Sequence, residues 1–276
     1  MDEAIFINEL VGNKMKTAQQ FPDKAIAERF VDDIFRFLFI GSTNEVNHIA
    51  ILEKHRQLKI VFASLIYETV KEQAEVKKHT TDFFYQLPSV YKALLEDAQA
   101  ILDFDPAARN MSEVVVAYPG FFAIAVYRLS HQIWSQGIRL LPRLFSEYAH
   151  SKTGIDIHPA AQIGAAFAID HGTGIVIGET TVIGNHVKIY QGVTLGALNV
   201  AKSQAATKRH PTIEDEVVIY SGATILGGDT VIGKGSIIGG NVWLTHSISP
   251  NSVVYHKSEI KIKDKNPFPE PLNFII

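Results

Sequence analysis

The 276-residue chain has no cysteine, which excludes disulfides, thiolate metal sites and a cysteine nucleophile. It has no apolar run of the roughly 18 residues that a membrane-spanning helix needs. The segment Met1 to Leu10 carries Asp2, Glu3 and Glu9 and lacks the basic-then-apolar order of a signal peptide. Neither sign of charge dominates: 26 Lys and Arg stand against 29 Asp and Glu, a formal net charge of -3. That balance gives no electrostatic basis for nucleic acid or an anionic membrane surface. A phosphate-cradling loop is missing too, because Gly227-Gly228 is not followed by Lys-Ser/Thr. These absences point to a cytoplasmic protein that binds neither nucleic acid nor membrane.

What is present is a six-residue beat. A branched aliphatic residue returns at Ile157, Ile163, Ile169, Ile177, Ile183, Ile189, Leu195, Ile213, Ile219, Ile225, Ile232, Ile238 and Leu244. Neither an isolated strand of period 2 nor a helix of period 3.6 produces that spacing, whereas each hexad of a parallel β-helix forms one flat face of a coil. The position after the branched residue is often Gly (164, 178, 184, 196, 233, 239), which allows a tight corner. An open last coil and flat outer faces lead us to expect an oligomer.

Residues 1–150 follow helical spacing instead. Ala25 to Ile40 places Ile26, Phe30, Ile34, Phe37 and Leu38 on one face. Further helices are expected over about Asn44 to Val76, Asp82 to Leu102, and Phe121 to Gln136, the last after Pro119-Gly120 and before Gly137. The chain thus divides into an α-helical domain (1–150), a β-helix (151–255) and an extended tail (256–276), an α+β architecture.

The beat breaks three times, and breaks in a regular scaffold are where function is grafted. Ile169 to Ile177 is two residues too long and contains Asp170-His171-Gly172-Thr173-Gly174. Leu195 to Ile213 lapses through a polar stretch, Leu198 to Lys208, ending in Arg209-His210-Pro211. Ile225 to Ile232 slips by one residue around Gly227-Gly228-Asp229. Asp156 precedes His171 by 15 residues, close to one coil of three hexads, so a carboxylate one layer from the imidazole is expected. Such a pair makes a general base near neutral pH, the carboxylate holding the tautomer. Arg209 and His210 offer a planar fork and a ring donor for an anionic substrate group. His158, His186, His246 and His256 share no ligand spacing and are read as surface or corner residues, so no metal is expected.

These segments together resemble serine O-acetyltransferase, a family of the hexapeptide-repeat acyltransferases. The resemblance rests on Asp156-Ile-His-Pro-Ala-Ala161, Asp170-His-Gly-Thr-Gly-Ile175, Gly178-Glu-Thr180, Gly192-Val-Thr-Leu-Gly196, Lys208-Arg-His-Pro211 and Ile225-Leu-Gly227. In the helical half it adds Asp105-Pro-Ala107, Tyr118-Pro-Gly-Phe121 and Ala125-Val-Tyr-Arg-Leu129. It implies a left-handed parallel β-helix, a homotrimer or hexamer with sites between neighbouring β-helices, and acetyl transfer from acetyl-CoA to L-serine in cysteine biosynthesis. His171 corresponds to the general base, Asp156 to its orienting partner, Asp105 and Asp170 to serine-binding carboxylates, and Arg209 and His210 to the groups on the substrate carboxylate. Coenzyme A contacts are implied near Ala197 and Ser221-Gly222. A C-terminal isoleucine, here Ile276, is implied to insert into O-acetylserine sulfhydrylase. Two departures stand out: Leu198 to Lys208 is longer and lacks the usual glycines, and Gly240-Asn-Val-Trp-Leu244 lacks the usual Gly-x-Pro-Ala turn. Alternatives to serine acetylation are transfer to another small acceptor such as homoserine, a non-catalytic scaffold, and a metal-dependent hydratase.

Overall fold

The computed structural model describes residues 2–17, 21–41, 47–198 and 207–257, and over these seven helices precede fourteen short strands. The helices are α1 (Glu3–Thr17), α2 (Lys24–Phe39), α3 (His48–Val70), α4 (Gln73–Phe104), α5 (Met111–Ala117), α6 (Pro119–Trp134) and α7 (Leu140–Thr153). Side-chain caps start four of them: Asp2 accepts from Ala4 N at 3.3 Å, Asp23 from Ile26 N at 3.0 Å, Asn47 from Ala50 N at 2.8 Å, and Asn110 from Glu113 N at 2.9 Å. Proline opens α6, and Gly154 at φ 69° closes α7.

The expected break between Val76 and Asp82 is not there. The chain turns at Lys71, a non-glycine residue at φ 61°, and one helix then runs from Gln73 through Pro88 to Phe104. The turn is set by packing, since α3 and α4 lie together with Phe62 stacked on Phe83 at 4.2 Å. Helices α1, α5 and α7 fall within the helical half without having been outlined individually. No single helix among the described residues is long and apolar enough to cross a membrane.

The strands are β1 (Asp156–Ile157), β2 (Gln162–Ile163), β3 (Ala168–Asp170), β4 (Val176–Ile177), β5 (Val182–Ile183), β6 (Lys188–Tyr190) and β7 (Thr194–Gly196). After the loop come β8 (Thr212–Ile213), β9 (Val218–Ile219), β10 (Thr224–Leu226), β11 (Val231–Ile232), β12 (Ile237–Ile238), β13 (Trp243–Leu244) and β14 (Val253–Val254). They wind into three parallel sheets: β1-β4-β7-β10-β13, β2-β5-β8-β11 and β3-β6-β9-β12-β14. Each of the thirteen beat residues lies in one of β1 to β13, and they stack in register, as Ile157, Ile177, Leu195, Ile225 and Leu244 do on the first sheet. All are buried except Ile163, which is partly covered. One apolar core fills the solenoid and continues into α4, α5 and α6, while a second joins the remaining helix faces around Phe30, Phe62, Phe83 and Phe145.

A buried ion pair fixes the helices to the first coil. Asp97 of α4, with no exposed surface, is bound by Arg128 of α6 through two guanidinium nitrogens and also accepts from Phe167 N at 2.9 Å. Arg128 donates on to Gly164 O at 2.8 Å. With its charge matched and its donors engaged, the guanidinium links both parts of the molecule.

Candidate active site

The two extra residues between Ile169 and Ile177 can be identified from the register. Asp170 pairs with Tyr190, and Gly192 N donates to Thr173 O, so Tyr190-Gln191-Gly192 of the second coil matches Asp170-Thr173-Gly174 of the first. His171 and Gly172 are therefore the insertion, bulging from the corner between the third and first sheets. His171 has left-handed backbone, φ 57°, and its side chain is 69% exposed. Gly172 has no alternative: a Cβ there would lie 2.5 Å from Ile155 Cδ1.

Three carboxylate and phenol groups surround this bulge. Asp170 Oδ1 lies 3.7 Å from His171 Nδ1. Asp105, where α4 ends, accepts from Ala107 N at 2.8 Å and from the Tyr118 hydroxyl at 2.5 Å. That hydrogen bond, then burial and the negative charges of Asp105, Glu113 and Asp170, push the Tyr118 hydroxyl up to about 12, so it remains a donor. The corner therefore holds an exposed imidazole beside two carboxylates, suited to a cationic amine and a proton transfer.

A second group occupies the next corner, between the first and second sheets. A cavity of about 360 Å³ is lined by Arg143, Asp156, His158, Glu179, Arg209 and His210, among others. Thr180 anchors the loop end: its hydroxyl accepts from Arg209 N at 2.9 Å and His210 N at 3.0 Å, and its own N–H donates to His210 Nδ1 at 3.1 Å. His210 Nδ1 is thus an acceptor and Nε2 carries the proton. The ring lies over Gly178, where a Cβ would come within 2.0 Å of it. Burial, then the charges of Arg209 and Lys208, hold His210 down to about 4. Arg209 is bonded to Glu179. Here a guanidinium paired with Glu179 stands beside a neutral ring N–H, a combination of donors suited to a carboxylate.

The expected residues accordingly fall into two sets. Asp105, Asp170 and His171 come together at one corner, with Ser221 and Gly222 two coils further along it. Arg209, His210 and Asp156 share the other, where Ala197 also lies, directly after β7. Asp156 and His171 are not stacked one layer apart: the first coil is lengthened by the insertion, and the residue above Asp156 is Val176. No ion pair joins the two within the chain. The Asp156 carboxyl is pushed up by burial, with His150 and Arg143 opposing and Glu147 reinforcing the shift.

Several site residues escaped the sequence reading. His158, set aside as a corner residue, lines the Arg209 cavity with Trp134 edge-on at 5.1 Å, and burial first, then nearby Arg143, hold it down to about 4. Its near neighbour Asp156 in the same strand-and-turn was the available signal. Arg143 arrives from α7, which carried no local signal, and Tyr118 gave none beyond its place in a matching segment. Residues 199–206 and 258–276, including Ile276, lie outside the described residues.

Comparison with known proteins bears on this geometry. The family model "Serine acetyltransferase, N-terminal" matches residues 44–126. A plasmid serine acetyltransferase of Synechococcus elongatus is 50% identical over 192 residues, 68% of this chain and 59% of the relative. One from Mycobacterium tuberculosis is 43% identical over 162 residues, 59% of this chain and 69% of the relative. Among solved structures, serine acetyltransferase isoform 3 of Entamoeba histolytica in complex with cysteine superposes with a TM-score of 0.77 at 35% identity, covering 85% of this chain and 84% of that one. Against the Synechococcus relative and one from Synechocystis, the match spans only 59% and 53% of the relative's length.

Proposed function

Because this chain belongs to the serine acetyltransferase family, we propose that it transfers the acetyl group of acetyl-CoA to the hydroxyl of L-serine, releasing O-acetyl-L-serine and coenzyme A. The observation that carries this reading is the division of the polar residues between two adjacent corners of the solenoid. In the proposed assembly, a homotrimer or hexamer, one chain's Asp105, Asp170 and His171 face Asp156, Arg209 and His210 of a neighbour. Serine then lies with its ammonium on Asp105 and Asp170 and its carboxylate on Arg209 and the His210 ring N–H. His171 takes the hydroxyl proton while the serine oxygen bonds to the thioester carbonyl carbon, and the collapsing adduct expels the thiolate, which His171 reprotonates. Asp156 of the neighbour orients the imidazole, a part that Asp170 at 3.7 Å leaves open within one chain. Coenzyme A runs along backbone near Ser221 and Gly222, with the neighbour's Ala197 on the other wall.

This is an enzyme of cysteine biosynthesis acting in the cytoplasm, with Ile276 available to O-acetylserine sulfhydrylase. Serine acetyltransferase isoform 3 and serine acetyltransferase 1 of Entamoeba histolytica were each solved in complex with cysteine, and cysteine here competes for the serine pocket because it offers the same ammonium and carboxylate. The test is thiol release from acetyl-CoA with serine and with homoserine, each with and without cysteine. Serine-dependent release that cysteine suppresses supports the reading. Faster release with homoserine replaces the acceptor, and no release with either removes the activity.

A further inference from the structure

The Tyr118 phenol lies at the His171 corner and has no part in the proposed transfer. Its place is built from both ends of the segment between α4 and α6. Asp105 ends α4, its N–H donating to Ile101 O at 3.0 Å, and Tyr118 ends α5, its N–H donating to Val114 O at 3.2 Å. Between them the chain is pinned repeatedly. Ala108 N donates to Asp105 O at 3.0 Å, Arg109 N donates to the Glu113 carboxylate at 2.9 Å, and Asn110 caps α5. The hydrogen bond from the Tyr118 hydroxyl to Asp105 Oδ2 then joins the two ends of this excursion.

Tyr118 is held against the solenoid as well. Pro119 opens α6 with the fixed φ that suits a first helical position. At buried Gly120 a Cβ would lie 2.6 Å from Ile169 O and 3.0 Å from Ile169 Cγ2, so only glycine lets the start of α6 press onto β3. Ile169 immediately precedes Asp170, and the charge of Asp170 acts on the phenol together with that of Asp105. Asp105 itself is partly exposed. Its Oδ1 accepts from Ala107 N at 2.8 Å and its Oδ2 from Tyr118 at 2.5 Å. A carboxylate offers about four lone-pair sites, so two are left over, and the two donors fix the plane in which these point.

We propose that Tyr118 is a positioning residue for the ammonium of the acceptor: its hydroxyl fixes the Asp105 carboxylate in the orientation that receives the amine. This rests on the serine reading above and adds a residue which that reading does not use. Two carboxylates at one corner repel each other until an ammonium arrives, and a hydroxyl that donates to one of them offsets part of that cost. Without the hydroxyl, Asp105 keeps only the donor of its own turn, and its carboxylate is free to rotate away from Asp170. An ammonium then meets an unfixed carboxylate and binds more weakly. The substrate carboxylate, held at the other corner by Arg209 and His210 of the neighbour, is unaffected.

Tyr118→Phe removes the hydroxyl and keeps the ring. Two fragments of serine divide the site: ethanolamine has the ammonium without the carboxylate, and 3-hydroxypropionate the carboxylate without the ammonium. Tyr118→Phe is expected to raise the serine KM, and the inhibition constant of ethanolamine against serine, by about tenfold each, the effect of one hydrogen bond to a charged group. The acetyl-CoA KM and the inhibition constant of 3-hydroxypropionate stay unchanged. Because the phenol acts through Asp105, the effect on the serine KM should vanish when Tyr118→Phe is made in an Asp105→Asn protein. An equal rise for both fragments, no rise for serine, or the same rise in the Asp105→Asn background overturns the proposal and leaves Tyr118 a clasp between α4 and α6. The two fragments are compared within one protein, so a smaller folded fraction lowers the rate without moving either constant. Titration with ethanolamine followed by NMR separates this role from the activity. A wild type that transfers nothing to serine but binds ethanolamine about tenfold more tightly than Tyr118→Phe does sinks the activity and upholds the positioning role, and a wild type that binds neither serine nor ethanolamine overturns both.

Discussion

His171 occupies a left-handed corner that costs a non-glycine residue of order 1 kcal/mol or more, and among the described residues its side chain has an ion-pair contact with Asp170 at 3.7 Å. A residue so exposed contributes little to stability. His171→Ala is expected to lower kcat by about 10²–10⁴ with the melting temperature unchanged, and retention of full turnover would remove it as the base. His158 and His210 behave in the opposite manner. Burial holds both down to about 4 from the ordinary 6.5, so between those pH values the unfolded chain binds protons that the folded one does not. Their contribution is therefore complete above about 6.5 and is lost as pH falls toward 4. Thermal unfolding from pH 7.5 to 4.5 should show a falling melting temperature, with a shallower slope in His158→Gln; an equal slope would exclude His158 as a source. The residues alone singled out His171 by the length of its hexad, while His158 had a regular one and was passed over.

At the scale of elements, α4, α6 and the first coil depend on one another through Asp97 and Arg128. Asp97→Ala leaves a guanidinium buried without its counter-charge, and a loss of about 3–5 kcal/mol is expected in denaturant unfolding. Because α4 ends at Asp105, any of this variant that folds should also show a raised KM for serine; a loss below about 1 kcal/mol would mean that the pair is solvated like a surface one. Element boundaries divided along the same line. Strands β1 to β13 were legible one by one because each turns one branched residue inward and every coil repeats the demand. The turn at Lys71 was not, since neither glycine nor proline marks it and the packing of Phe62 on Phe83 decides where α3 ends.

For the whole molecule the chief prediction concerns the proposed trimer. If each site takes His171 from one chain and Arg209 from the next, then His171→Ala and Arg209→Ala proteins, each nearly inactive alone, regain activity when co-expressed. Random mixing in a closed ring restores about a quarter of the sites. No recovery would mean that each chain works by itself. The sequence by itself determined the solenoid, its thirteen inward residues and the interruptions that carry polar groups, because burial of branched side chains at a fixed period admits one class of fold. The tertiary structure alone decided which polar residues share a corner. The spacing of Asp156 and His171 suggested neighbours in adjacent layers, yet the His171-Gly172 insertion lengthens the coil and leaves Val176 above Asp156. Spacing counts residues along the chain, whereas a corner is set by where each coil turns, and an insertion moves the turn without disturbing the inward residues on either side.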